Sequence, residues 1–139
     1  MPHHTSNSPF EQLNAHLRRQ FGMLATMFLL GMAVNLIGLP DETTGFSRTA
    51  SIFLLLLHVL IGIGLIVGAV RIRGLSEKAG KPMRTFGIVG AAGVGTAFLG
   101  GVLTMATHGN NWWSYVMAVG FIAAMIAYGR LWVLVAAHR

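Results

Sequence analysis

A histidine inside a long apolar run is the residue of this chain most suited to chemistry. Four leucines at 54–57 precede His58, and Val59 and Leu60 follow it. Burying an ionisable side chain in lipid is costly, so such a residue is a functional-site candidate. Asn35, in the preceding apolar run, lies within about 3 Å of the same predicted depth at 1.5 Å rise per residue. We therefore expect a hydrogen bond between His58 and Asn35.

A later histidine suggests that His58 is a metal ligand. Imidazole is an ordinary axial ligand of haem iron, and His108 would supply the second one. Gly62, one turn from His58, would leave space for the macrocycle, and Arg48 would pair with a propionate. These residues predict a b-type haem held by His58 and His108, with Asn35 and Arg48 beside it.

Helix geometry leaves other assignments open. His108 falls roughly 13 Å further along the helix axis than His58, which is far for two ligands of one iron. Met117 or Met32 lies nearer the depth of His58 and would serve as a thioether ligand instead. The alternative is a neutral His58 bonded to Asn35 or a carbonyl, with His108 solvated in a turn. A quinone or small-molecule pocket is a further alternative.

One pair of methionines and one pair of histidines could each bind a metal, and each also has a simpler interpretation. Met23 and Met27 are spaced to present two thioethers to a cuprous ion, but methionines at this spacing ordinarily pack. His16 and His138 are expected at one membrane edge, where a second metal site competes with simple headgroup contact. No Ser-His-acid set or paired carboxylate occurs in the apolar runs, so we favour a non-enzymatic protein.

Composition identifies the setting of these residues. Of 139 residues, 54% are hydrophobic and only 10% are charged, against averages of about 45–50% and about 25%. So few charges cannot cover a water-soluble surface. The chain has no cysteine, which excludes disulfides and thiolate chemistry. This composition predicts one compact integral membrane domain.

Four apolar runs are long enough to cross a bilayer. They cover residues 21–39, 51–70, 85–107 and 112–130, after a polar stretch at 1–20 that we interpret as a cytoplasmic tail. At about 1.5 Å per residue, they match a hydrocarbon core about 30 Å thick. Only helices satisfy their backbone in lipid. The predicted fold is an all-α, up-down-up-down four-helix transmembrane bundle.

The basic residues predict the orientation. The net charge is +6, and nine of the ten basic residues flank the chain ends or the second connection, whereas only Arg48 falls on the other side. By the positive-inside rule, both termini are cytoplasmic, most simply in a plasma membrane. Trp112 would mark the outer interface, and Tyr128 and Trp132 the inner one.

The span number and two histidines carry a family resemblance. The stretch from His58 through Val59, Leu60 and Ile61 to Gly62, with the later His108, resembles small four-helix, histidine-ligated membrane cytochromes b and one half of haem A synthase. The resemblance covers only the number and order of the spans. It implies one haem on the outer side and electron transfer.

Glycines predict close helix packing, within the chain or against partners. Span three carries six glycines between residues 87 and 101, a composition that lets helix backbones approach closely in lipid. We expect an accessory or structural subunit of a larger membrane complex or a homo-oligomer, with the haem protein as the alternative and small-molecule binding or transport as a further one. The basic residues at 71–84 would meet anionic lipid or an acidic protein surface. Because they lie between apolar runs, no nucleic-acid partner is expected.

Overall fold

A computed structural model gives four long helices and describes residues 8–38, 40, 43–107 and 109–138, without the side chain of Asn35. The helices are α1 (Pro9–Ile37), α2 (Gly45–Lys78), α3 (Lys81–Ala106) and α4 (Asn111–Ala136). No strand occurs in these ranges. The all-α fold predicted from the sequence is confirmed.

The helices pack in a ring in chain order. Each contacts the next one along the chain, and α4 closes the ring by contacting α1, with the most extensive contact between α3 and α4. Within the described ranges, no Cα atoms of diagonal helices approach within 8 Å of each other. The turn between α2 and α3 contains Gly80 at φ 109°, which is backbone that favours glycine. The result is an up-down-up-down bundle.

Three helices are long and apolar enough to cross a membrane by length and composition, within the described residues: α2, α3 and α4. Their composition is that of a membrane protein. A crossing by α1 stays a prediction from its run at 21–39, whose last residue lies outside the described ranges. We call the end of the bundle formed by the start of α1, the α2–α3 turn and the end of α4 the basic end.

Helix α1 begins much earlier than its predicted span. Residues 9–20, assigned above to a tail, are helical, and Pro9 stands in the first turn. Ser8 and Glu11 form a capping box, in which each side chain accepts a hydrogen bond from the backbone N–H of the other. Leu13 and Leu17, one turn apart, are fully buried. The cap and this apolar stripe explain why the helix extends beyond the apolar run.

The most deeply buried apolar side chains lie toward the basic end. Side chains that are apolar and at most 1% exposed come from the first halves of α1 and α3 and the second halves of α2 and α4: Leu13, Leu17, Ile72, Met83, Ala124, Tyr128, Leu131 and Val135. These residues form one contiguous core. The helical extensions beyond the predicted spans are therefore part of the folded bundle.

Tyr128 departs from its predicted place at the membrane interface. Its side chain is fully buried, and its ring occupies the space that a side chain at Gly90 would need. The absence of a side chain at Gly90 lets this large ring enter the interior of the bundle instead of facing outward. Trp132 remains at the surface, 39% exposed, and its Nε1 donates a hydrogen bond to Asn14 Oδ1 at 3.0 Å.

Candidate functional site

His58 lies in α2 and faces α1. The ring is half-buried, and its Cε1 is 3.7 Å from the point where a Cβ atom on Gly31 would stand. A Cβ there would be in ordinary van der Waals contact with the ring, so the imidazole lies against α1 at this position. The structure therefore places the predicted residue between two helices and not on the outer surface of the bundle.

One nitrogen of His58 has no hydrogen-bond partner among the described residues. Nδ1 is buried, and no group in the described part of the chain bonds to it. The predicted partner, Asn35, has its side chain outside the described residues. Leaving a buried polar atom unpaired costs about 1–3 kcal/mol. This nitrogen is therefore the polar atom of the site that a bound group would satisfy.

Of the other residues predicted for a haem, the structure describes Arg48, Met117 and Met32 with their side chains. His108 lies outside the described residues. Arg48 is exposed in the first turn of α2. Met117 packs at the α3–α4 contact, with its Sδ 3.4 Å from a Cβ placed on Gly101. Met32 is half exposed on α1.

The space expected beside Gly62 is already filled. A Cβ atom there would lie 3.2 Å from Met27 Cε and 3.7 Å from Phe98 Cδ2. Two neighbouring helices thus send side chains into the gap that was expected to clear a macrocycle. In the described ranges, no group of three or more histidine, cysteine or acidic residues could hold a metal ion.

Long side chains of α1 fill glycine gaps along α2. Met27 lies against Gly62, and a Cβ on Gly64 would stand 2.5 Å from Met23 Cε. Each thioether therefore occupies its own gap, and the ordinary packing interpretation of this methionine pair explains their positions.

Gln20 is a buried polar residue that the sequence interpretation missed. It is 1% exposed, its Nε2 donates to Leu65 O at 3.0 Å, and its Oε1 fills the gap at Gly68. The signal was available, because Leu13, Leu17 and Gln20 are spaced by four and three residues on one helix face. Assigning residues 1–20 to a tail concealed that stripe.

Polar groups near the opposite end pair within the bundle. Ser51 Oγ donates to Gly38 O at 2.7 Å and so ties the start of α2 to the end of α1. Thr104 and Ser114 hydroxyls approach to 3.5 Å between α3 and α4. These groups are used in helix contacts.

His16 and His138 bond within their own helices. Nδ1–H of His16 donates to Gln12 O at 2.9 Å, and that of His138 donates to Leu134 O at 2.8 Å. The ring of His138 also stacks on Phe10, with centroids 5.5 Å apart. Each imidazole is oriented by a carbonyl one turn earlier.

Most glycines of α3 lie in contacts with the other helices of the bundle. A Cβ on Gly93 would lie 2.7 Å from Ala124 N and 2.8 Å from Gly120 O. Gly100 would meet the backbone of Met117 at 2.6 Å. The backbones of α3 and α4 therefore touch, as expected for a glycine-mediated crossing in lipid.

The glycines that face open space instead are Gly22, Gly45, Gly74, Gly80 and Gly95. A Cβ on Gly74 in α2 or on Gly95 in α3 would meet no atom within 4 Å. Gly74 lines two grooves near the basic end, one on each side of α2.

The first groove, the α2–α3 groove, has a volume of about 550 Å³. Its lining combines small, apolar and paired ionic side chains: Val70, Arg73, Gly74, Glu77, Ile88, Ala91 and Ala92. Arg73 Nε and Glu77 Oε1 are 3.4 Å apart.

The second groove, the α1–α2 groove, has a volume of about 410 Å³. Its lining is mostly polar and basic: Gln12, His16, Arg71, Gly74, Leu75 and Lys78. Neither groove is lined by His58.

Comparison with known proteins adds no relative. No family model, no characterised protein and no solved structure matches this chain. Function is therefore argued from the residues and surfaces described above.

Proposed function

We propose that this protein is a non-enzymatic accessory subunit of a membrane complex, and that the α2–α3 groove receives a transmembrane helix of the partner. One observation carries the proposal. Gly74, where an added Cβ would meet no atom, lines this groove together with Ala91 and Ala92, whereas the glycines at the α3–α4 contact are used internally.

The groove has the composition of a helix-docking surface in lipid. Ala91, Ala92 and Gly95 follow Ile88 at spacings of three, four and seven residues, so the four share one face of α3. Small side chains let a second backbone approach closely, and dispersion then replaces the hydrophobic drive that is missing in lipid. Gly74 extends the same surface on α2.

The polar rim of the groove would set the depth of the partner helix. Arg73 and Glu77 neutralise each other one helical turn apart, with side chains 57% and 43% exposed. Such an exposed pair contributes little to stability, about 0.3–0.5 kcal/mol. Its carboxylate and guanidinium remain available to polar groups at the end of the partner helix.

The basic end would face the cytoplasm. Nine of ten basic residues flank connections or termini on that side of the bundle, which is the bias that orients membrane proteins. Accessibility of tags at both termini in intact cells tests this orientation. Tags accessible from outside would contradict it.

Photo-crosslinking tests the docking surface directly. A benzoylphenylalanine at Ala92 should give one defined adduct in native membranes. The same probe at Ile126, an outward-facing position on α4 that is 63% exposed, is the matched control. Gly95→Leu, one turn beyond the lining residue Ala91 on the same face of α3, should weaken the adduct at Ala92 by crowding the docking surface.

Three results would count against the proposal. Equal adducts at Ala92 and Ile126 would indicate random collision, and no adduct would indicate an unoccupied groove. An adduct of twice the chain mass would make the surface a homo-oligomer contact instead.

A second candidate function rests on the buried His58 Nδ1, which has no hydrogen-bond partner among the described residues. A haem iron bound at this imidazole would supply electron-transfer chemistry. The filled gap at Gly62 requires Met27 and Phe98 to move for a macrocycle to enter.

Absorption spectra test this second function. The purified protein, expressed with ample haem, is measured oxidised and dithionite-reduced beside His58→Ala and His16→Ala. A Soret band lost only with His58→Ala would support haem ligation. A colourless wild type would refute it.

A further inference from the structure

The α1–α2 groove carries unpaired positive charge. Arg71 and Lys78 line it, and neither has a hydrogen-bond or ion-pair partner among the described residues. No acidic side chain lines the groove. The two acidic side chains of the described ranges are engaged elsewhere: Glu11 caps α1, and Glu77 pairs with Arg73 toward α3.

We propose that this groove binds the headgroup of one anionic phospholipid in the leaflet at the basic end. The proposal concerns the isolated chain and does not depend on a partner in the α2–α3 groove. Charge complementarity selects the occupant, since a phosphodiester accepts hydrogen bonds from a guanidinium and an ammonium group.

The groove lies at the depth of lipid headgroups. Arg71 directly follows Val70, the last residue of the apolar run in α2, and Lys78 ends the helix two turns later. Arginine and lysine at such a boundary meet the phosphate layer of the bilayer. A phosphate in the groove would therefore remain in its ordinary layer.

An apolar stripe leads out of the groove toward the membrane centre. Leu60, Ile63 and Val67 are spaced by three and four residues and continue at the same interval to Arg71 and Gly74, so all share one face of α2. Their side chains are 65%, 49% and 50% exposed. One helix face thus offers a surface for an acyl chain and cations for its headgroup.

On the α1 side of the groove, a hydrogen bond orients the side chain of His16. Nδ1–H of His16 donates to Gln12 O, one turn earlier in α1, and this bond fixes the orientation of the imidazole ring. Nε2 is then the remaining polar atom of the ring. Gly74 contributes depth, since it leaves open space between the helices. The site therefore combines a shaped floor with two long cationic side chains.

Native mass spectrometry of the detergent-purified full chain tests the proposal. Wild type should retain one dioleoylphosphatidylglycerol in preference to dioleoylphosphatidylcholine. Arg71→Gln with Lys78→Gln should lower that affinity about 25-fold, since each cation near an anionic lipid contributes about fivefold. The charge-conserving pair Arg71→Lys with Lys78→Arg should retain the lipid.

Matched variants separate the groove from general surface charge. Lys81→Gln with Arg84→Gln removes the same charge outside the groove and should leave binding unchanged. Equal loss in that pair would overturn the proposal in favour of diffuse attraction. Equal retention of phosphatidylcholine, or displacement of phosphatidylglycerol by inorganic phosphate, would also overturn it. Ala92→Leu, which affects only the α2–α3 groove, should not change lipid binding.

Discussion

Replacing Gly93 by alanine should loosen the contact between α3 and α4. The added Cβ would lie 2.7 Å from Ala124 N and 2.8 Å from Gly120 O. Both are backbone atoms, so no flexible side chain can move aside, and the helices must separate by several tenths of an ångström. Overpacking of this kind costs about 1–3 kcal/mol.

Gly95→Ala is the matched control two residues away on the same helix. Its Cβ would meet nothing within 4 Å. Both variants gain the same helix preference of alanine over glycine, about 0.5–1 kcal/mol. The difference between their unfolding free energies therefore isolates the steric cost, expected at about 1–3 kcal/mol.

Unfolding in mixed detergent micelles, followed by tryptophan fluorescence, measures this difference. All three tryptophans, Trp112, Trp113 and Trp132, lie on α4 and report on its separation from α3. Equal stability of the two variants would refute the proposed backbone contact.

A double-mutant cycle tests the contact further. A Cβ on Gly120 would lie 2.7 Å from Gly93 O, so both substitutions press on one crossing. A single separation of the helices relieves both clashes. Gly93→Ala with Gly120→Ala should therefore cost less than the sum of the single variants, and strict additivity would contradict a shared crossing.

Three further outcomes follow from particular contacts. Tyr128→Phe should leave the unfolding free energy unchanged or raise it by up to about 3 kcal/mol, because the buried Oη has no partner in the described chain. A clear loss of stability would show that the hydroxyl is bonded. Ser8→Ala should cost about 0.5–2 kcal/mol and raise amide exchange in the first turn of α1, since it removes the hydrogen bond from Glu11 N; unchanged exchange would contradict the cap. Gly74→Leu should weaken both phosphatidylglycerol retention and the crosslink at Ala92, because this residue lines both grooves. Loss of only one of these signals would show that Gly74 shapes only one of the two grooves.

The fold was predictable because the pattern that indicates it, apolar runs separated by basic segments, can be seen along the sequence alone. Long apolar runs interrupted by basic segments predict helices whatever their partners, since backbone groups in lipid must pair within a segment. Helix ends were less predictable. The start of α1 depends on Ser8 and Glu11 together with burial of Leu17 against other helices, which hydropathy alone underestimates.

The candidate site also has one part that the sequence indicates and one part that depends on packing. His58 was identified because an ionisable side chain in an apolar run needs no partner to be conspicuous. The filling of the space beside Gly62 was not predictable from the sequence, because it depends on which side chains the neighbouring helices place there. Met27 and Phe98 fill that space, while Gly74 and Gly95 are left open.

By itself the sequence determined the all-α architecture, the apolar character of the chain and the concentration of basic residues at one set of connections. These follow from composition and spacing along the chain. Only the tertiary structure decided which small residues are consumed inside the bundle and which face outward, and that Arg71 and Lys78 share a groove with His16. The physical reason is that packing depends on the rotation of each helix about its axis, which is set by contacts between residues far apart in sequence.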